Sequence, residues 1–337
     1  MDIAVVGLGY WGPNLLRNLY ELPGCDRLVA CDLDESKLNK IKSRYPVVEV
    51  TTQFQQVLDD DGIDAVIIAT PVSFHYPLAK QALQAGKHVF VEKPFTSSRR
   101  EGENLIALAE QAQRKIMVGH TFEYSPPVLK IKELIEKGEL GELFYISSSR
   151  VNLGLHQKDV SVIWDLAPHD FSSIFYWLGE QPVRVSAMGR DFVQPGIPDV
   201  AFVNLEFASG CIANVQLSWL APSKLRRTTI VGANKMLVYD DTENIEKVKI
   251  YDKGVDYKDP ETFGEYHLSY RSGDVLSPRL DSFEPLSKEM DHFITCCQEG
   301  TVPKTDGANG LRVVKALEAA EYSMNHNGIV VNVDSLD

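Results

Sequence analysis

The sequence is poor in cysteine and in positive charge, and it contains no long apolar run. Its five cysteines in 337 residues form no C-x-x-C spacing and leave an odd number, which favours reduced thiols over a disulfide framework. Asp and Glu outnumber Lys and Arg by 47 to 34, so we expect no basic surface for nucleic acid. No apolar run approaches the roughly 20 residues of a membrane span, and we expect no membrane partner.

The remaining absences are a secretion signal and a metal-ligand pattern. A strand begins almost at Met1 without a preceding basic region, so we predict a cytoplasmic protein. Adjacent Cys296 and Cys297 fall in a periodic helix and are interpreted as packing residues. No cluster of His, Cys or Glu has zinc spacing, and we predict no metal site. The length allows two domains, each with a full core.

A glycine-rich turn follows the first strand, Ile3 to Val6. Gly7, Gly9 and Gly12 have the G-x-G-x-x-G spacing, and Pro13 then opens a helix. Gly7 suits a tight turn, Gly9 a close approach to a pyrophosphate, and Gly12 close packing of the helix on the strand. Because the motif lies between a strand and a helix, it predicts binding of a dinucleotide at the helix N-terminus.

Asp32 ends the second strand, Arg27 to Cys31, about 20 residues after the glycines, as a dinucleotide fingerprint requires. Its carboxylate is predicted to accept hydrogen bonds from the adenosine ribose. With Asp34 nearby and no adjacent arginine, a 2′-phosphate is disfavoured, so we predict NAD rather than NADP. The alternative, that Asp32 only caps the next helix, fits the combined pattern less well.

Strands and helices then alternate up to His120. A buried strand over 65–69 precedes Thr70-Pro71, and a helix over 76–85 follows His75. Another strand runs from Val89 into Glu92-Lys93-Pro94. A helix over 101–113 and a strand over 116–120 complete the pattern, which predicts an α/β fold, a Rossmann-type doubly wound parallel sheet over residues 1–121. Such sheets bind ligands at the carboxyl ends of their strands, so Lys93 is predicted to meet a substrate oxygen beside the cofactor.

Residues 122–337 are predicted to form an α+β domain that carries the substrate site and the oligomer contacts. A helix over 128–137 precedes strands with period-2 alternation over 143–151, 183–189, 200–207, 211–219, 227–231, 235–239 and 248–251. We interpret them as one open, mostly antiparallel sheet, whose uncovered face predicts a homodimer or homotetramer. Residues 252–284 have no clear period and are assigned to loop; helices over 285–298 and 310–325 and a strand over 328–333 follow.

Asp165 and His169 lie four residues apart on the helix embedded in this domain, and hence on one face. Pro168 is placed in the first turn, where proline is tolerated. A carboxylate one turn from an imidazole can orient it as a proton acceptor. For an isolated pair, however, an Asp N-cap and a packed His would be the favoured explanation.

These motifs together resemble the glucose–fructose oxidoreductase, inositol dehydrogenase and rhizopine-catabolism (Gfo/Idh/MocA) family of nicotinamide-dependent oxidoreductases. The resemblance covers nearly the whole chain. It is carried by the glycine turn, Ala69-Thr70-Pro71 with His75, Glu92-Lys93-Pro94, and Asp165 to His169. It implies that Lys93 and His169 are catalytic, with Asp165 supporting the substrate or His169. The segment from Trp164 to Asp170 looks most like members that act on sugars, including sugar nucleotides.

The implied reaction is hydride transfer between NAD and a secondary hydroxyl or ketone of a sugar, with His169 or Lys93 accepting the proton. Substrate contacts are assigned to Lys93, Asn152, Asp165 and His169, whereas Arg150 would reach an anionic group or lie on the sheet surface. The predicted cofactor site comprises Gly7, Gly9, Tyr10, Trp11, Gly12, Asp32, Thr70, Pro71, His75, Glu92, Lys93, His120 and Trp164. Two alternatives stay open, an inositol, polyol or free-aldose dehydrogenase and a dinucleotide sensor without turnover.

Overall fold

A computed structural model describes residues 1–154, 156–157, 160–257 and 268–336. It contains two compact units. The first comprises Met1–Ser125 and Phe283–Lys315, and the second comprises Pro126–Ser282 and Ala316–Asp337. Within the described residues, no helix has both the length and the apolar character needed to span a bilayer.

The first unit is built on a six-stranded, wholly parallel sheet with the order β3-β2-β1-β4-β5-β6. This order is that of a dinucleotide-binding doubly wound fold, so the predicted fold is confirmed. The inner strands are continuous apolar runs because helices cover both faces of the sheet. The strands are β1 (Asp2–Val6), β2 (Arg27–Cys31), β3 (Glu49–Thr51), β4 (Ala65–Ile68), β5 (His88–Glu92) and β6 (Ile116–Gly119).

The helices of this unit begin with recognisable signals. Proline lies in the first turn of the first helix, and the Ser98 side chain caps the fifth by accepting a hydrogen bond from the N–H of Glu101. The helices are α1 (Gly12–Glu21), α2 (Glu35–Arg44), α3 (Phe54–Asp59), α4 (His75–Gln84) and α5 (Arg99–Ala112).

Residues 33–64, for which the hydrophobic pattern predicts no element, form α2, β3 and α3. Asp34, not Asp32, caps α2, since its side chain accepts a hydrogen bond from the N–H of Ser36. The alternative role of Asp32 as a helix cap is therefore wrong. These short elements escaped prediction because β3 is largely exposed and lacks an apolar run.

The second unit contains a nine-stranded sheet with the order β14-β13-β12-β11-β7-β10-β9-β8-β15. Only the β7–β10 pair is parallel among its described pairings, as the prediction of a mostly antiparallel sheet requires. Its strands are β7 (Leu143–Leu153), β8 (Pro182–Arg190), β9 (Val200–Phe207), β10 (Ile212–Ser218), β11 (Leu220–Gly232), β12 (Met236–Asp240), β13 (Val248–Tyr257), β14 (Leu268–Leu276) and β15 (Val331–Asn332).

Helices α6 (Pro126–Glu136) and α7 (Val162–Leu178) precede α8 (Pro285–Glu299) and α9 (Gly307–Asn325). Helix α7 packs against β7, β9 and β10. It buries the alternate residues Ala201, Val203 and Leu205 of β9, which explains the period-2 pattern of that strand.

Two sequence assignments in the last third need correction. The prediction placed residues 283–315 in the second domain, but Leu286, Met290 and Phe293 of α8 lie in the hydrophobic core of the first unit, where α8 packs against α1. Residues 252–284 were assigned to loop, yet β13 continues to Tyr257 and β14 pairs with it from Leu268. Residues 258–267 of that assignment lie outside the described part. Helical pattern alone does not reveal which core a helix joins.

Candidate functional site

The glycine turn after β1 has the backbone geometry that its spacing predicts. Gly7 has a φ of +94° and donates its N–H to the carbonyl of Cys31 at 2.8 Å. A Cβ on Gly7 would lie 2.6 Å from the carbonyl oxygen of Ala69, and one on Gly12 would overlap the carbonyl oxygen of Gly7. A Cβ on Gly9 would meet nothing within 4 Å. The turn therefore packs tightly at Gly7 and Gly12 and leaves open space at Gly9, where a pyrophosphate would fit.

Asp32 lies at the tip of β2 in a dense set of donors. Its Oδ2 accepts the N–H of Leu8 at 2.6 Å and its Oδ1 accepts the N–H of Asp34 at 2.9 Å. The Lys37 ammonium lies 3.2 Å from Oδ2. The sequence motif did not reveal Lys37, although the cap at Asp34 places it in the first turn of α2 and so directs it toward Asp32.

A cavity of about 370 Å³ opens beside Asp32. Its lining combines the predicted residues Gly7, Gly9, Asp32, Thr70 and Pro71 with apolar side chains that the sequence motif did not indicate, namely Leu33, Phe54, Phe74 and Leu78. Apolar walls with one carboxylate at the rim suit the adenosine half of a dinucleotide. The predicted Tyr10 and Trp11 are exposed next to this turn and contact each other edge to face, with ring centroids 5.8 Å apart.

His75 joins the loops that follow β4 and β5. Its Nδ1 lies 2.8 Å from the carbonyl oxygen of Pro94, and its Nε2 lies 2.8 Å from that of Thr70. The ring is 1% exposed, and burial lowers its pKa. The peptide bond between Lys93 and Pro94 is cis. Both ring nitrogens of His75 thus face protein carbonyls, so its structural role is to brace the two strand ends, while its predicted cofactor contact stays a prediction.

Buried polar atoms without a partner gather at the same strand ends. Among the described residues, both ring nitrogens of His120 and the Oγ1 of Thr70 make no hydrogen bond. Burial, followed by the charge of Lys93, lowers the pKa of His120 to about 3, so its ring is neutral. Unsatisfied buried donors and acceptors are rare in proteins. Together with the open space at Gly9, they fit a bound nicotinamide nucleotide.

Glu92 and Lys93 stand at the end of β5. Glu92 is 7% exposed and accepts the N–H of Lys93 at 3.2 Å. Burial raises the pKa of Glu92 to about 7, against the opposing effect of the Lys93 charge. A carboxyl that can hold or lose a proton near neutral pH therefore adjoins the predicted catalytic lysine.

Two further buried carboxyls, which the sequence did not reveal, lie in the same unit. Glu289 on α8 accepts a hydrogen bond from the hydroxyl of Thr121 at 2.6 Å, and Glu123 accepts one from the Asn309 side chain at 3.1 Å. Both carboxyls are 0% exposed, and burial raises the pKa of each. Glu123 lies in the aromatic and proline-rich stretch 121–127, whose composition gives no sign of a buried carboxyl.

The predicted catalytic pair of the second unit lies on α7. Asp165 and His169 are both half-buried, and the hydroxyls of Ser172 and Ser173 donate to the carbonyl of His169. Pro168 lies in the second turn rather than the first, because the helix begins at Val162. Without an N–H it cannot close the helical bond to the carbonyl of residue 164.

The other predicted residues of this unit have varied surroundings. Trp164 is 6% exposed, and its indole N–H donates to Glu321. Asn152 is half-buried on β7. Arg150 is 7% exposed and forms an ion pair with Asp170 at 2.5 Å, so its placement on the sheet surface is wrong. The indole of Trp219, which no motif indicated, donates to Asp165.

The structure therefore gathers the predicted residues into two sets. The glycine turn, Asp32, Thr70, His75, Glu92, Lys93 and His120 belong to the first unit, and Asn152, Trp164, Asp165 and His169 belong to the second. That Lys93 and His169 act on one ligand stays a prediction. The described residues bring no group of three or more His, Cys, Asp or Glu side chains into an arrangement suited to a metal ion.

Two family models match the chain. One, described as an oxidoreductase family with an NAD-binding Rossmann fold, matches residues 1–120, and the other, described as the GFO/IDH/MocA C-terminal domain, matches residues 128–238. Together they cover more than half of the chain. The first description confirms the predicted NAD cofactor.

Curated relatives and solved structures agree with these models. The scyllo-inositol 2-dehydrogenase (NAD(+)) of Bacillus subtilis is 25% identical over 98% of this chain and 96% of its own length. The UDP-N-acetylglucosamine 3-dehydrogenase of Acidithiobacillus ferrooxidans is 30% identical over 57% and 59%. The chain spans only 66% and 50% of two uncharacterized oxidoreductases, from Bacillus subtilis and Escherichia coli. An aldose-aldose oxidoreductase from Caulobacter crescentus shares the fold, with a TM-score of 0.83, 21% identity and coverage of 98% and 99%.

Proposed function

Because the chain belongs to the Gfo/Idh/MocA family of oxidoreductases, we propose that it is an NAD-dependent dehydrogenase of sugars or related polyols. The reaction is hydride transfer between the nicotinamide and a secondary hydroxyl, or the corresponding ketone. Lys93, Asp165 and His169 carry the chemistry at the substrate.

One observation carries the proposal, the set of groups at the strand ends of the first unit. The open space at Gly9, the cavity beside Asp32, and the unpartnered atoms of Thr70 and His120 lie along the path that a dinucleotide takes over such a sheet. Glu92 and Lys93 stand at the neighbouring strand end. A buried Glu92 followed by a half-buried Lys93 at this position supports proton chemistry beside the nicotinamide rather than cofactor binding alone.

The residues would divide the work as follows. When bound, NAD supplies the hydride acceptor at C4 of its nicotinamide. Lys93 hydrogen-bonds the reacting oxygen and stabilises it as its charge changes, and His169 accepts the hydroxyl proton. Asp165 binds the substrate and positions it for proton transfer to His169. Lys93 is the alternative proton acceptor, since a cationic neighbour disfavours a charged lysine.

Asp32 supports the choice of NAD over NADP. Its carboxylate is fixed by the N–H groups of Leu8 and Asp34, so it cannot turn away from a ribose substituent. A 2′-hydroxyl can donate a hydrogen bond to this carboxylate, whereas a 2′-phosphate would meet its negative charge. Lys37 reduces that repulsion without removing it.

The substrate is proposed as a class. A sugar, including a nucleotide-linked sugar, is favoured by the resemblance of the Trp164–Asp170 segment. A free polyol such as an inositol is the second candidate, and the near-full-length similarity to an inositol dehydrogenase favours it. A sensor that binds the dinucleotide without turnover would need neither His169 nor Lys93.

The test is absorbance at 340 nm with the purified protein, NAD, and separate panels of inositols, free aldoses and UDP-sugars. Turnover confined to UDP-sugars selects the nucleotide-linked class, and turnover of inositols or aldoses selects the free class. NADH binding measured by fluorescence, with no turnover of any panel in either direction, would overturn the dehydrogenase proposal in favour of the sensor.

A further inference from the structure

Trp219, a residue without any sequence signal, contacts the predicted substrate-binding carboxylate. It lies between β10 and β11, and its indole Nε1 donates a hydrogen bond to Oδ2 of Asp165 at 3.0 Å. The side chain is 1% exposed, whereas Asp165 is half-buried. A wholly buried donor thus contacts the carboxylate of a residue that is only half-buried.

The indole is fixed by its surroundings in the second unit. The N–H of Trp219 donates to the carbonyl of Asp199, and its own carbonyl accepts the N–H of Gly154, both at 3.0 Å. The His156 ring packs against the indole, with centroids 5.3 Å apart. The Asp199 side chain is 0% exposed and accepts two N–H groups of the β8–β9 connection, so the support of Trp219 is itself rigid.

Gly154 closes the remaining side. A Cβ at this position would lie 2.9 Å from Cδ1 of Trp219 and 3.2 Å from Oδ1 of Asn152. Gly154 therefore lies directly against the indole, and a side chain at this position would displace it. An indole N–H can only donate a hydrogen bond, so Oδ2 of Asp165 is the acceptor in this contact.

We propose that Trp219 is a positioning residue that sets the orientation in which Asp165 meets the substrate. This inference rests on the proposed function, in which Asp165 binds the substrate hydroxyls. Hydrogen bonds to an ionised acceptor are about twice as strong as neutral ones. Small losses of alignment at a substrate-binding group can lower the rate by large factors. Trp219 thus influences substrate binding through its hydrogen bond to Asp165.

The experiment is a double-mutant cycle on kcat/KM with whichever substrate the 340 nm panel identifies. W219F removes the indole N–H and keeps an aromatic ring. W177F is the matched control, because Trp177 is 2% exposed in the same unit and its indole N–H donates to the carbonyl of Val128 at 3.1 Å. We expect W219F to lower kcat/KM about 10-fold or more and W177F to leave it unchanged.

The cycle with D165N separates positioning from general damage. If Trp219 acts through Asp165, W219F lowers kcat/KM in the wild type, but the double variant W219F/D165N is no slower than D165N alone. W177F should leave kcat/KM unchanged in both backgrounds. G154A, whose methyl group would displace the indole without removing its N–H, provides the same cycle should W219F fail to fold.

The outcomes distinguish this inference from the proposed function. Losses from W219F and D165N that multiply, or equal effects of W219F and W177F, overturn the role of Trp219 while leaving the dehydrogenase proposal intact. Full activity of D165N, or a protein that turns over no CH–OH substrate, contradicts the proposed function and this inference together.

Discussion

His169 is the single residue on which the proposed proton transfer depends most. It lies on α7 one turn after Asp165. A general base contributes typically about 10²–10⁴-fold in rate, so H169A should lower kcat by a factor in that range. NADH affinity, measured by fluorescence titration, should change far less than kcat, since the predicted dinucleotide contacts other than Trp164 belong to the first unit and His169 to the second.

The control for this variant is H326A, because His326 is exposed at the end of α9 and its Nδ1 bonds only locally, to the carbonyl of Tyr322. An H169A protein with wild-type kcat would remove His169 from the mechanism and leave Lys93 as the proton acceptor.

At the cofactor end, the pair Asp32–Lys37 should control selectivity in opposite directions. D32A removes both the acceptor for the ribose and the charge that repels a 2′-phosphate. It should therefore lower the affinity for NAD about tenfold and reduce the preference for NAD over NADP. K37A leaves the Asp32 charge uncompensated and should widen the preference. Dissociation constants for NADH and NADPH test both.

Lys40, exposed further along α2, provides the control K40A, which should bind both dinucleotides as the wild type does. An unchanged NADH/NADPH ratio in D32A would contradict the assignment of Asp32 to the ribose.

At the scale of elements, α8 carries a carboxyl whose protonation is linked to stability. Burial, together with the charges of Glu92 and Glu123, raises the pKa of Glu289 well above its ordinary value. The folded protein therefore keeps a proton that the unfolded chain releases above pH ~4.5. The stability associated with this proton is fully present below that pH and is lost as the pH rises through the folded pKa.

The side chain of E289Q is neutral at every pH. Its free energy of unfolding relative to that of the wild type should therefore increase as the pH is raised from 5 to 8. The gain is about 1.4 kcal/mol for each unit of pKa difference titrated in that range, and thermal unfolding at both values measures it. E284Q at the start of the same helix is the control. The Arg17 hydrogen bond lowers the pKa of Glu284, so its effect is the same at pH 5 and pH 8. A pH-independent E289Q effect would contradict the linkage.

For the whole molecule, the open sheet of the second unit supports the prediction of a homo-oligomer. On the face opposite α7, Met188, Phe202 and Ile212 are 68%, 46% and 55% exposed, and the strand register places them on one surface. Exposed apolar patches of this kind often mark protein–protein contacts. We expect a dimer or tetramer by size-exclusion chromatography with light scattering.

F202E places a charge in that surface and should lower the measured mass to a smaller species. V47E, at a 74% exposed position of the first unit, is the control and should leave the mass unchanged. A monomeric wild type would contradict the prediction of an oligomer. An F202E protein of unchanged mass would show that the contact does not use this surface.

The residues that local pattern could identify were those whose chemistry depends on neighbours in sequence. Such motifs can be recognised within a single turn, strand or helix. Examples are Gly7 and Gly12, the strand ending in Glu92-Lys93, and the Asp165–His169 spacing. The period of apolar residues likewise determined both sheets, because burial of a strand or helix face leaves its repeat in the sequence.

What only the tertiary structure decided depends on contacts between distant segments. Helix α8 joins the first core, Lys37 meets Asp32, Arg150 is buried against Asp170, and Trp219 meets Asp165 across 54 residues. The pKa values of Glu92, Glu123 and Glu289 depend on burial, which the local amino-acid sequence does not predict. Local periodicity fixes which faces are apolar, but partner choice and desolvation arise only when those faces pack.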